Sequence, residues 1–163
     1  MTAPFWKRFL LKTGFAINIG CFVHCVTEYV AEFTMCVGPS MEPTLNTSSN
    51  GDVVVTEHVT TRYRYLKSDF FRGDIVIAKC PSNPNTMICK RIAAMGGDMV
   101  EKPNGLNSGS EDSHIKIPKG HLWLLGDNSG NSTDSRIYGP VPYGLVRGRV
   151  CFKVWPLSEF GRM

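Results

Sequence analysis

At 163 residues, the chain has room for one domain with a real core, not comfortably for two. Its composition is that of a folded globular protein: 42% hydrophobic and 20% charged, with 16 Gly and 10 Pro, a balance that favours β structure broken by turns. The net charge of +4 is modest and unclustered, and no aromatic and basic residues interleave, so nothing here suggests a nucleic-acid binder. The six cysteines (Cys21, Cys25, Cys36, Cys80, Cys89 and Cys151) contain no C-x-x-C pair, which argues against a zinc ribbon or a thioredoxin-type site. Cys80 and Cys89 are spaced to face each other across a hairpin, but buried free thiols are the preferred reading.

The N-terminus is basic. Lys7, Arg8 and Lys12 precede the first acid, Glu28. A mostly apolar stretch from about Phe15 to Val37 reads as a helix. Its clean apolar part falls short of the roughly 20 residues that a span needs. His24, Glu28 and Glu32 recur every four residues and would form one polar stripe, with Cys21 on the same row. One reading is an amphipathic helix packed on its own domain. The other, favoured, is a membrane anchor whose stripe faces a partner helix. A cleavable secretory signal fits less well, because no tidy small-residue cleavage site follows.

The rest of the chain reads as short strands: residues 52–58, 75–80, 86–94, 121–125 and 146–155. Pro81 to Asn85 is a strong turn. Gly96-Gly97-Asp98 ends one strand and Gly126-Asp127 another. Residues 104–113 are polar and rich in Gly and Ser, so they read as a flexible surface loop. The architecture expected is an all-β domain preceded by one helix, with residues 1–36 forming the basic N-terminus and helical anchor and residues 37–163 the β domain.

Ser40 lies in Gly38-Pro39-Ser40-Met41-Glu42-Pro43. The prolines fix φ on either side, and residues before proline are pushed toward extended geometry, so the hydroxyl is expected on a rigid, extended segment. A base is available on the strand Met87 to Ala93, where alternation puts Lys90 on the face of Ile88 and Ile92. A lysine held among apolar groups loses the preference for its ammonium form and can take a serine proton. By itself, Lys90 is more simply read as an edge-strand lysine that snorkels to water. The cluster from Gly126 to Arg136 is either a hydrophilic loop or a scaffold. Asp134 and Arg136 are placed to pair, and Asp127 to orient a partner.

Four ordered segments carry a resemblance: Gly38-Pro39-Ser40-Met41 with Pro43-Thr44-Leu45, Arg72-Gly73-Asp74-Ile75-Val76, Lys90-Arg91-Ile92 with Gly96-Gly97-Asp98, and Gly126-Asp127-Asn128 with Asn131 to Arg136. The chain resembles the type I signal peptidases from Gly38 to its end. Residues 118–121, 138–142 and 154–156 are similar to that family's mitochondrial inner-membrane branch, and Ser135 favours the first of the branch's two related catalytic subunits. The resemblance implies a signal-peptidase-like β-barrel or sandwich and a membrane-anchored serine endopeptidase that cleaves presequences. It implies Ser40 as nucleophile, Lys90 as general base, and Ser132 steadying the lysine amine. Asp134 and Arg136, with Asp127, would support the site, and the Ser40 backbone N–H would form the oxyanion hole. Gly38 stands where many bacterial members carry a hydroxyl, so a second oxyanion donor is missing from that position. The resemblance further implies no metal or cofactor, a place in the mitochondrial inner membrane facing the intermembrane space, and a related second catalytic subunit as partner. A slight apolar exposure at Met41 and Leu45 would suit a domain resting on the bilayer.

Three other classes fit the sequence less well. A self-cleaving repressor-type Ser–Lys protease would need a DNA-binding helix-turn-helix, which the N-terminal segment does not offer. A non-enzymatic β-barrel module is separated by whether a hydroxyl-reactive probe labels Ser40. A histidine-based serine hydrolase is disfavoured because Ser40 is not in a G-x-S-x-G elbow.

Overall fold

A computed structural model describes residues 5–47, 51–59, 61, 70–101 and 114–163. The chain opens with α1 (Phe5–Tyr29) and continues into β1 (Ala31–Cys36), β2 (Asp52–Glu57), β3 (Ile75–Lys79), β4 (Met87–Met95), β5 (Met99–Glu101), β6 (His114–Lys116) and β7 (His121–Leu125). A one-turn helix α2 (Ser135–Tyr138) then precedes β8 (Val141–Pro142), β9 (Val146–Trp155) and β10 (Gly161–Arg162). The main sheet is antiparallel, in the order β1-β2-β9-β3-β4-β7-β8, with β10 added to β9. β5 and β6 form a separate ribbon. This is the all-β architecture with one N-terminal helix that the sequence predicts. The loop expected at 104–113 lies outside the described residues.

The helix is displaced from its predicted range. It starts at Phe5, so Lys7, Arg8 and Lys12 belong to it, and it ends at Tyr29. Its 25 residues rise about 37 Å, enough to cross a hydrocarbon core, and its mean hydropathy reaches 1.6. Asn18 and Thr13 donate to the carbonyls four residues back, Gly14 at 2.9 Å and Phe9 at 3.0 Å, which lowers the cost of polar groups on an apolar helix. None of its side chains is buried against the domain. Residues 31–36, expected to complete the helix, instead pair with β2 from Ala31↔Glu57 to Cys36↔Asp52. Glu32 therefore leaves the stripe of His24 and Glu28, and its carboxylate lies 3.7 Å from His58 Nε2. Four consecutive β-branched residues in β2, Val53 to Thr56, paired along β1, outweigh the local helical spacing.

Strand β3 is buried on both faces, because it sits between two apolar clusters. Val76 and Ala78 face one, with Ile92, Leu122 and Leu124. Ile75 and Ile77 face the other, with Met41, Leu45, Val54 and Val150. Met41 and Leu45 are thus core residues, 1% and 0% exposed, and do not form the exposed apolar patch expected of them. Burying two such side chains contributes roughly 2 kcal/mol each and seats the segment between them. Cys80 donates its N–H to the Thr86 carbonyl, and Cys89 pairs with Ile77, so the two thiols do not face each other across the hairpin. Cys89 packs instead against the cluster that holds Cys36. All six cysteines are free.

Candidate active site

The segment carrying Ser40 is not extended throughout. Gly38, at φ 109° and ψ 157°, and Glu42, at φ −64° and ψ 144°, flank a single 3-10 turn, Pro39–Met41. Proline at the first position suits the turn, because its missing N–H would have no partner there. The Ser40 N–H is likewise at the opening of the turn, where amides have no intrahelical acceptor. With Met41 anchored in the core on one side and the turn on the other, Ser40 is held at a half-buried position. The turn packs against β4 and against the 3-10 turn Ser129–Asn131.

Strand β4 supplies Lys90. Its register opposite Val76 sets it on the same sheet face as Ile92, over the cluster of Val76, Ala78 and Leu124. Lys90 is 4% exposed, so it does not snorkel to water. No hydrogen bond or ion pair reaches its amine among the described residues. Burial pushes its pKa below the ordinary lysine value. The Asp134 carboxylate pulls it back up, and the Arg136 guanidinium opposes that pull.

The Gly126–Arg136 segment closes round this pair. The Asp134 carboxylate is fully buried and accepts five hydrogen bonds: from Arg136 Nε at 2.9 Å, Nη2 at 2.8 Å and backbone N–H at 3.2 Å, from the Gly126 N–H at 3.0 Å, and from the Ser132 hydroxyl at 2.8 Å. Burial alone would raise this carboxyl; the hydrogen bonds, led by Arg136, outweigh it and bring it down to about 2. The Ser132 proton is therefore committed to Asp134, and its oxygen lone pairs are left to accept from a neighbour. Gly126 is where the parts meet. A Cβ there would fall 2.2 Å from Ser132 Oγ and 2.4 Å from the Ser40 carbonyl oxygen, so the strand end at β7, the serine turn and the Ser132 side chain close on a bare Cα. The Asn128 N–H donates to the same Ser40 carbonyl at 3.1 Å.

Asp127 lies on the other side of the turn. Arg91 grips it at two points, 2.8 and 2.6 Å, and the Thr44 hydroxyl donates to it at 2.6 Å. It joins β4 to the stretch just after Ser40. The sequence places Asp127 near the site but does not find its partners, Arg91 and Thr44, although Arg91 adjoins Lys90 and Thr44 follows Pro43 within the first motif. Nor does it find the buried set Asn46, Asp52 and Lys153, 9%, 0% and 3% exposed. Among the described residues no group of three or more His, Cys, Asp or Glu could hold a metal ion. A cavity of about 650 Å³ lies at the far end of β1 and β4, lined by Glu28, Glu32, His58, Met87 and Arg147, and includes neither Ser40 nor Lys90.

Among the described residues Lys90 has no counter-ion, and it lies on the strand against which the serine turn packs, an arrangement compatible with Ser–Lys chemistry. Comparison with known proteins gives the class: a family model described as "Signal peptidase, peptidase S26" matches residues 7–107 and 103–155. The chain belongs to that family and is a peptidase. Within it, the chain is similar to "Mitochondrial inner membrane protease subunit 1" of Homo sapiens, 50% identical over 95% of this chain and 87% of the human protein. It is 36% identical to the protein of the same name from Saccharomyces cerevisiae, over 91% of this chain and 79% of that one. "Mitochondrial inner membrane protease subunit 2" of Danio rerio is 34% identical over 98% of this chain and 81% of its own length. A solved signal peptidase I from Enterococcus faecalis matches 50% of this chain and 96% of its own, at 22% identity and a TM-score of 0.39.

Proposed function

We propose that this chain is a membrane-anchored serine endopeptidase of the mitochondrial inner membrane, and that it removes presequences from proteins delivered to the intermembrane space. Ser40 is the nucleophile and Lys90 the general base. The observation that carries the reading is the burial of Lys90 without an ion pair beside the turn of Ser40. Burial makes such an amine easier to deprotonate, and its free form takes the Ser40 proton as Oγ attacks the scissile carbonyl. The oxyanion forms against the Ser40 N–H. The lysine ammonium then gives its proton to the leaving amine, and the departing product leaves an ester on Ser40. Lys90 next deprotonates a water molecule, which hydrolyses the ester and restores Ser40. Ser132 donates its own O–H to Asp134 and so keeps its oxygen lone pairs for an amine N–H of Lys90, which orients the base.

The substrate lies extended as an added strand. Among the described residues, open edges include the free side of β1 and the Met87–Lys90 half of β4, which pairs with β3 on one side while its pairing with β7 begins only at Arg91. Helix α1 holds the enzyme in the bilayer, and the sheet domain carries the chemistry. The subunit names of the relatives support a complex acting on protein substrates, with a related catalytic chain as partner. Purified full-length Ser40→Ala and Lys90→Ala enzymes are expected to keep the fold and lose cleavage of a presequence substrate. Processing by folded Lys90→Ala at the wild-type rate would sink the dyad. Carbonate extraction with protease protection checks the anchor and its sidedness.

A further inference from the structure

Asn46 is the one non-glycine residue among those described with a positive φ, 64°. Asparagine tolerates this left-handed conformation better than most residues, and nothing in a plain loop requires it. Its side chain is nearly buried and fully used. Nδ2 donates to the Gly38 carbonyl at 2.7 Å, and Oδ1 accepts the Asp52 N–H at 3.1 Å. Its own N–H donates to Asp52 Oδ2 at 2.7 Å. Asp52 in turn is held by Lys153 Nζ at 2.6 Å, and Lys153 also meets Glu159. A continuous chain of buried polar contacts thus runs from β9, through the first residue of β2, to the peptide two residues before Ser40.

Gly38 needs such a hold. It has no Cβ, it adopts φ 109°, and nothing would contact a Cβ placed there, so packing does not restrain the Gly38–Pro39 peptide. That peptide sets the direction from which the Ser40 N–H and Oγ enter the site. If it turned, the Gly38 carbonyl would become a free acceptor close to where a developing oxyanion needs donors. We propose that Asn46 is a positioning residue for catalysis: it pins the Gly38 carbonyl away from the reacting carbonyl and holds the serine turn against the Lys153–Asp52 pair. The role rests on the reading of Ser40 as nucleophile.

The test is steady-state cleavage of a presequence peptide by the full-length enzyme in detergent, with kcat expressed per folded molecule from near-UV circular dichroism. Asn46→Gly keeps the left-handed backbone and removes only the side-chain bonds. Its kcat is expected to fall at least tenfold, with KM within twofold of wild type. Wild-type kcat per folded molecule, or a loss confined to KM, would overturn the proposal. Should the glycine variant not fold, Asn46→Asp decides instead, because it keeps the backbone and the acceptor for the Asp52 N–H but loses the donor to Gly38; the same fall in kcat is expected and wild-type kcat overturns the role. Ser40→Ala is run alongside. If it still cleaves, the nucleophile reading fails whatever Asn46 does; if it is inactive, the Asn46 result stands on its own.

Discussion

Arg136 grips both oxygens of Asp134, at 2.9 and 2.8 Å, and in doing so withholds that carboxylate from Lys90. Asp134 is the anion that most raises the Lys90 pKa, and Arg136 is a cation that lowers it. Arg136 therefore offsets part of the pull that Asp134 exerts on the base. Burial, the largest influence, lowers the pKa of the amine and makes its free form easier to reach.

Removing the guanidinium takes away this offset. In Arg136→Met the Asp134 charge acts on Lys90 unopposed, and the lysine pKa rises. The activity that depends on the free amine increases with pH through that pKa, so the acidic limb of kcat/KM moves to higher pH. Activity at neutral pH is expected to fall by tenfold or more and to recover in part toward pH 9. A pH–rate profile of kcat/KM for both enzymes checks it; a uniform loss with an unmoved limb would mean that Arg136 only supports the loop.

Lys90 itself is held at a cost to the fold. Because its pKa is lower in the folded protein, the unfolded chain binds the extra proton between that value and the ordinary 10.5, and stability rises with pH across that window. At neutral pH the buried amine therefore opposes folding. Lys90→Met, similar in length and apolar, is expected to be inactive yet more stable by about 1 kcal/mol, read as a higher thermal midpoint at pH 7. The gain should shrink as pH approaches 10.

How much of this was legible in the sequence depends on whether a local rule decided each element. Alternation along β4 placed Lys90 with Ile92, and this held because the strand stays regular from Met87 to Ile92. Lys153 escaped notice because β9 does not stay regular. Phe152 pairs with Val55 and Val150 with Thr56, which leaves Cys151 unpaired as a bulge; the side-chain parity reverses there and turns Lys153 inward beside Asp52. β1 was misread because its sequence, AEFTMC, continues a helical spacing. Only β2, twenty residues on, makes it a strand. Ser132, Asp134 and Arg136 were found because they lie within five residues. The Arg91–Asp127–Thr44 contact spans 83 residues and has no local signal.

Gly126 has the least room for a side chain of any glycine among the described residues. Gly126→Ala places a methyl group 2.2 Å from Ser132 Oγ, which can rotate, and 2.4 Å from the Ser40 carbonyl, which is backbone and cannot. The serine turn must therefore shift, and with it the nucleophile. Displacement of this order is expected to lower kcat/KM about 100-fold and stability by about 2 kcal/mol. Presequence cleavage and thermal melts measure the two separately. Near-normal cleavage would show that the serine turn is not held where these contacts place it.

The Asp134 carboxylate also sets the acid limit of the fold. It titrates at about 2 when folded, against 3.8 as its ordinary value. Above about pH 4 it is ionised in both states, and its full contribution, roughly 2 kcal/mol, is present. As pH falls from about 4 toward 2, the unfolded chain takes up a proton that the folded protein refuses, and the contribution disappears. Asp134→Asn is therefore expected to be less stable than wild type at pH 7, because the amide cannot satisfy Arg136, Ser132 and the Gly126 N–H together. Its stability should also decline less steeply between pH 4 and pH 2. Urea denaturation at a series of pH values separates the two effects, and equal slopes for both proteins in that window would mean that the carboxylate does not carry the acid sensitivity.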